Sequence, residues 1–159
     1  MAAKQYTDDE LASLQEMPKL VSNPRARWTE KPKSIPTHRQ RTFIAHGSED
    51  SSVRFQVYQR QNMSDPSDFS CGISIHPPSA PPLTLARYNG PSHMHGSIAY
   101  RPHIHRATAR AIEEGKKPES EAEESDRFSD LDGALACLIE DFNLSGVEVS
   151  RNKQLEMFE

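Results

Sequence analysis

The sequence predicts an α+β domain: an N-terminal helix, an antiparallel β-meander of about five strands, and a C-terminal amphipathic helix packed on the sheet. Three observations carry this. Between residues 41 and 109 several segments alternate apolar and polar side chains, the period of a half-buried strand. Clusters of Gly, Pro, Asn, Asp and Ser punctuate them, as turns require. Near the end, Leu131, Leu135, Leu138, Ile139 and Phe142 recur at helical spacing as one apolar stripe.

Taken in order, Thr7 followed by Glu10 is a capping-box pattern. Leu11, Leu14 and Met17 then share a helix face, so a helix is predicted from about Asp8 to Glu16, stopping before Pro18. Residues 22–40 hold Pro24, Pro32 and Pro36 without an apolar period and read as a surface connection anchored by Trp28. Arg41–His46 and Val53–Arg60 flank Gly47–Ser51, a hairpin loop; Val53, Phe55 and Val57 alternate with Arg54, Gln56 and Tyr58. Phe69–His76 is the third strand, with Phe69, Cys71, Ile73 and Ile75 on one face. Leu83–Tyr88 is the fourth, with Leu83, Leu85 and Arg87 on one side. His103–Ala109 extends as the fifth, although the stretch RATARAIEEGKK within it also favours helix. Residues 113–127 are acidic, poor in apolar side chains and expected to be mobile. Ser129 is expected to cap the last helix, with Asp130 and Asp132 in its first turn and Asn143–Gly146 ending it. Val147–Val149 is expected to add a short strand.

The 159 residues suit one domain, 1–159. Hydrophobic residues make up only 35% and aromatics 7%, which predicts a modest core. No apolar run approaches membrane-spanning length, and the opening MAAKQYTDDEL has no apolar stretch of signal-peptide type. Two cysteines, Cys71 and Cys137, without a CxxC argue against a disulfide framework, so a reducing cytoplasm is the expectation. The net charge is −4, yet it is unevenly distributed. Residues 24–110 carry twelve Lys and Arg against five Asp and Glu, while residues 113–132 carry nine acids against three bases. Either solvated surfaces differ by accident, or a polyanion-binding face is masked by an acidic segment.

The stretch GPSHMHGSIAYRPHIHRA (residues 90–107) holds four of the seven histidines, as His93-Met-His95 and His103-Ile-His105. Residues two apart on a strand point the same way, so each pair shares a face and Ile104 is directed to the core. Three readings stay open. In the first, the imidazoles of His93, His95, His103 and His105 exchange protons with RNA, needing no cofactor. Arg87, Arg101 and Arg106 would then hold phosphate, and Tyr88 and Tyr100 would stack on bases or donate a proton. In the second, the same four histidines ligate a metal. In the third, they are exposed residues of an edge hairpin.

LARYNGPSHMHG followed by PHIHRATARAIEEG and FSDLDGALACLIEDFNL resembles a family of small bacterial and phage-borne proteins. That family has a Gly-Pro-x-His turn, a His-x-His strand and an acidic closing helix, and its opening helix is similar to DDELASLQEMPKLV here. A similar strand-end and His-x-His arrangement marks TumE-type toxins of toxin–antitoxin pairs. The likeness covers roughly Thr7 to Leu144. It implies roles for Arg87, Asn89, His93, His103 and His105, in a mobile-element setting; at Asn89 the family pattern has Asp. The reading is therefore a toxin-like or RNA-directed protein, a metal-independent ribonuclease in its enzymatic form. The rival is a non-enzymatic antitoxin, phage regulator or inhibitor that binds RNA or a cognate protein partner. The oligomeric state is not legible.

Overall fold

The computed structural model describes residues 5–31, 37–92 and 101–149. Helix α1 (Asp8–Glu16) opens it with its capping box formed: Glu10 N–H donates to Thr7 Oγ1 at 3.1 Å, and Thr7 N–H to Glu10 Oε1 at 3.3 Å. There follow β1 (Lys19–Val21), β2 (Thr29–Lys31), β3 (His38–Gly47), β4 (Arg54–Asn62), β5 (Phe69–Ile75) and β6 (Leu83–Asn89). Then come β7 (His103–Arg106), α2 (Ala109–Glu113), β8 (Glu121–Glu124), α3 (Leu131–Asp141) and β9 (Leu144–Ser145).

The α+β class is as predicted, but among the described residues the sheet has nine strands rather than about five. Its order is β8-β7-β6-β5-β4-β3-β1-β9, with β2 also paired to β3. β3 to β8 form the antiparallel meander; β9 joins β1 in parallel. β3 is ten residues long because it serves three partners. One side takes β4 along most of its length, and the other takes β2 at His38–Gln40 and β1 at Ala45–Gly47.

Several expectations change. The connection at 22–40 contains β2 and the start of β3, and Trp28 packs under the guanidiniums of Arg39 and Arg41, 4.1 and 4.6 Å from its ring centre. The fifth strand ends at Arg106, because Thr108 caps α2 by accepting the Ala111 N–H. The acidic stretch at 113–127 is not wholly loop: Glu121–Glu124 pair with β7. Asp130, not Ser129, caps α3, accepting the Gly133 N–H at 2.7 Å. Asn143 ends that helix with φ of 53°, and β9 is Leu144–Ser145 rather than Val147–Val149. No described helix is long and apolar enough to cross a membrane.

Helix α3 lies across β4, β5 and β6, and its buried Leu131, Leu135 and Leu138 meet Phe55, Val57 and Ile73 of the sheet. That apolar layer is the core, and it covers only one face. The two faces of the sheet therefore differ in chemistry. Their assignment depends on a register shift between Ile73 and Ser74, where Leu85 has no partner. Leu83 pairs with Ile75 before the shift and Ala86 with Ile73 after it. The alternation thus changes phase along β6, and Arg87 lies on the face opposite Leu83 instead of sharing its side.

Candidate functional site

Face membership follows from register, since paired residues on neighbouring strands share a side. One row on the face away from α3 reads Thr42–Tyr58–Gly72–Arg87–His105. The next reads Gln40–Arg60–Ser70–Asn89–His103, and His38 begins a third beside Asn62. A predominantly polar layer thus lies opposite the apolar core.

His103 and His105 do share a face, with ring centres 5.0 Å apart, and Ile104 is buried on the other side. They are not exposed hairpin residues. β7 is internal, flanked by β6 and β8, and the two imidazoles are 1% and 2% accessible. Each Nδ1 donates to a main-chain carbonyl at 3.0 Å, His103 to Arg101 and His105 to Glu119. A proton fixed on Nδ1 makes Nε2 the basic nitrogen, the tautomer used by general bases and by metal ligands alike. Among the described residues no group of three or more His, Cys, Asp or Glu is placed to hold a metal ion. His93, His95 and Tyr100 lie outside the described residues.

Three expected phosphate or base contacts fall elsewhere. Tyr88 is fully buried on the α3 face, where its hydroxyl donates to Asp141 Oδ2 at 2.5 Å. Burial, then this bond to a carboxylate, pushes its phenol far above the usual range. Arg106 is on that face too, 3.6 Å from Asp141 and 3.9 Å from Glu123. Burial acts to raise Asp141, but bonds from Arg127 and Tyr88 and the charges of Arg127 and Arg106 hold it below the ordinary carboxylate range. Arg101 is exposed, and its carbonyl rather than its guanidinium serves His103. The basic middle of the chain is thus divided: Arg39, Arg41 and Arg106 lie on the α3 face, and Arg54, Arg60 and Arg87 on the other.

What the polar face does assemble is a cavity of about 600 Å³ lined by His38, Gln40, Tyr58, Arg60, Asp68, Phe69, Ser70, Arg87 and Asn89. Only Arg87 and Asn89 among these were marked by the sequence. Arg87 Nε stands 3.8 Å from Glu119 Oε1 and makes no hydrogen bond, so this loose ion pair joins the Glu119 carbonyl's bond from His105 in bringing the acidic segment to this face. Tyr58 and Ser70 share a hydrogen bond of 3.0 Å, and Ser70 donates to Asn89 Oδ1 at 2.8 Å. Burial raises the Tyr58 pKa against the pull of Ser70 and Arg87, so the phenol stays protonated. Asp68 accepts from Asn62 Nδ2 and from Ser92 Oγ, each at 3.2 Å, with His38 Nε2 3.8 Å away.

The floor under Tyr58 is Gly72. A Cβ there would stand 2.5 Å from Tyr58 Cε1 and 2.9 Å from its hydroxyl. Gly72→Ala is therefore expected to lift the ring off Ser70, at a cost of about 2 kcal/mol from overpacking. A thermal melt and the tyrosine ring resonances would register it. An unshifted melt with unchanged ring signals would mean that the ring does not rest on Gly72.

Compared with known proteins, the chain is matched by no family model, no curated protein and no solved structure.

Proposed function

We propose that this is an RNA-directed protein of the small toxin-like kind, and that it holds the RNA backbone on the sheet face turned away from α3. The observation that carries this reading is the convergence of Arg60 and Arg87 on one cavity, beside Tyr58, Asn89 and His38. Guanidiniums in a fixed fork suit phosphate oxygens, and a phenol and an imidazole in the same lining suit a sugar–base unit. The motif resemblance around Arg87, Asn89 and the His-x-His strand points the same way.

In this reading His103 and His105 act from the adjoining strand. Their row partners are Asn89 and Arg87, and the near-complete burial of both rings favours a positioning role over direct proton transfer. Among the described residues, the imidazole that lines the cavity is His38.

Fluorescence anisotropy with a labelled single-stranded RNA tests the placement. Two phosphate contacts on a single strand predict that affinity falls roughly sevenfold between 50 and 200 mM salt. Arg60→Gln and Arg87→Gln should each weaken binding, whereas Arg39→Gln and Arg41→Gln, on the opposite face, should not. Equal loss from both pairs of variants would disprove the face assignment. Binding indifferent to salt and to all four would remove the RNA reading.

A further inference from the structure

The cavity is chemically two-ended. Arg87 lies in one row of the face, Arg60 and Asn89 in the next, and His38 with Asp68 beyond them at the end of β4. The Tyr58–Ser70–Asn89 chain orients the amide of Asn89. A phenol kept protonated donates to Ser70, which must then donate onward to Asn89 Oδ1. With Oδ1 engaged, the amide presents its N–H donors to the cavity beside two guanidiniums. An aspartate at this position would accept the same bond but set a negative charge there. At the other end, Asp68 already accepts a hydroxyl, that of Ser92, and an imidazole stands beside it.

Resting on the RNA reading, we propose that the cavity takes one ribonucleotide unit, with its phosphate at Arg60, Arg87 and Asn89 and its ribose hydroxyls at Asp68 and His38. The volume of about 600 Å³ is that of a small-molecule cleft and exceeds what a bare phosphate fills. A carboxylate accepting from the 2′-hydroxyl is what separates RNA from DNA at such a site.

Calorimetric titration of the intact protein with adenosine 5′-monophosphate, its 2′-deoxy counterpart and inorganic phosphate tests this. The ribonucleotide should bind on the order of tenfold more tightly than the deoxynucleotide, the worth of one good hydrogen bond to a charged group. Both should bind more tightly than phosphate. Asp68→Asn, which keeps the shape of the side chain, should bring the ribo-to-deoxy affinity ratio close to one by weakening the ribonucleotide more than the deoxynucleotide. Arg87→Gln and Asn89→Asp should weaken both nucleotides, with circular dichroism confirming the fold. Equal affinity for the ribo and deoxy forms, or phosphate binding as tightly as nucleotide, overturns the proposal and leaves a plain anion site. Loss of nucleotide binding with arginine-dependent RNA binding retained sinks this inference alone. Nucleotide binding without RNA binding sinks the RNA reading alone.

Discussion

Leu138→Asp is expected to abolish the cooperative fold. Leu138 is fully buried in the stripe that α3 lays on β4, β5 and β6. Truncating a buried leucine removes about 2–5 kcal/mol of packing. Aspartate adds the penalty of a carboxylate with no partner, or of protonating it, for several kcal/mol more. A domain of this size has roughly 5–15 kcal/mol of net stability, so the sum consumes most of it. Loss of a sigmoidal thermal transition, with Leu138→Ala showing an intermediate melt, is the expected result. A wild-type melt for Leu138→Asp would mean that α3 is not docked on the sheet.

Lys19→Met should have the next largest effect. Lys19 is fully buried, and its ammonium donates to the carbonyls of Gln15 at 3.0 Å, Met17 at 2.9 Å and Phe142 at 2.7 Å. The first two close the end of α1 and the third the end of α3. The ammonium also lies 4.9 Å from the ring centre of Phe55 and 5.6 Å from that of Phe142. One side chain thus ties two helix C-termini together where their carbonyls lack intrahelical partners. Methionine keeps the volume but leaves those carbonyls unpaired, at about 1–3 kcal/mol each, partly offset by releasing a buried charge. A net loss of about 3 kcal/mol corresponds to a melting temperature lower by roughly 6–12 °C in a chain of this length.

The same residue makes a pH prediction. Burial lowers its pKa from 10.5 to about 8. Between those values the unfolded chain holds a proton that the folded chain has released, so the Lys19 contribution to stability rises as pH increases. Below pH 8 both states are protonated and the slope vanishes. The difference in stability between wild type and Lys19→Met should therefore widen from pH 8 to pH 10.5, with other titrating groups cancelling in the comparison. A constant gap would show that the three carbonyls hold the ammonium at its ordinary pKa, and a shrinking one that they raise it.

The legible parts of the fold were those whose order is local. The capping box of Thr7 and Glu10, the alternation in β4 and β5 and the stripe of α3 are all present in the sequence as repeating patterns. β1, β2, β8 and β9 are two to four residues long and exist because a longer strand lies beside them, so no period announces them. The site was harder. Tyr88 beside Arg87, and Arg106 beside His105, look like neighbours in sequence, yet consecutive strand residues face opposite ways. The register shift at Ile73 and Ser74 then reverses the phase between Leu83 and Arg87, which no alternation count reveals. Arg60 and Tyr58 were readable as the wet side of β4. His38 was a lone histidine in a proline-rich stretch, and only pairing across three strands brings it to the same cavity.

The acidic strand β8 has one more consequence. It ends the sheet beyond β7, where an outer row of N–H and C=O groups would invite another chain to add itself. Glu121, Glu123 and Glu124 are exposed along that border, so an incoming strand would meet carboxylates packed at strand spacing. At the opposite border β9 offers only two residues. The border charges therefore act as a fence against fibre-like stacking, and neutralising them should expose the molecule to self-association at concentrations where the native chain stays dispersed.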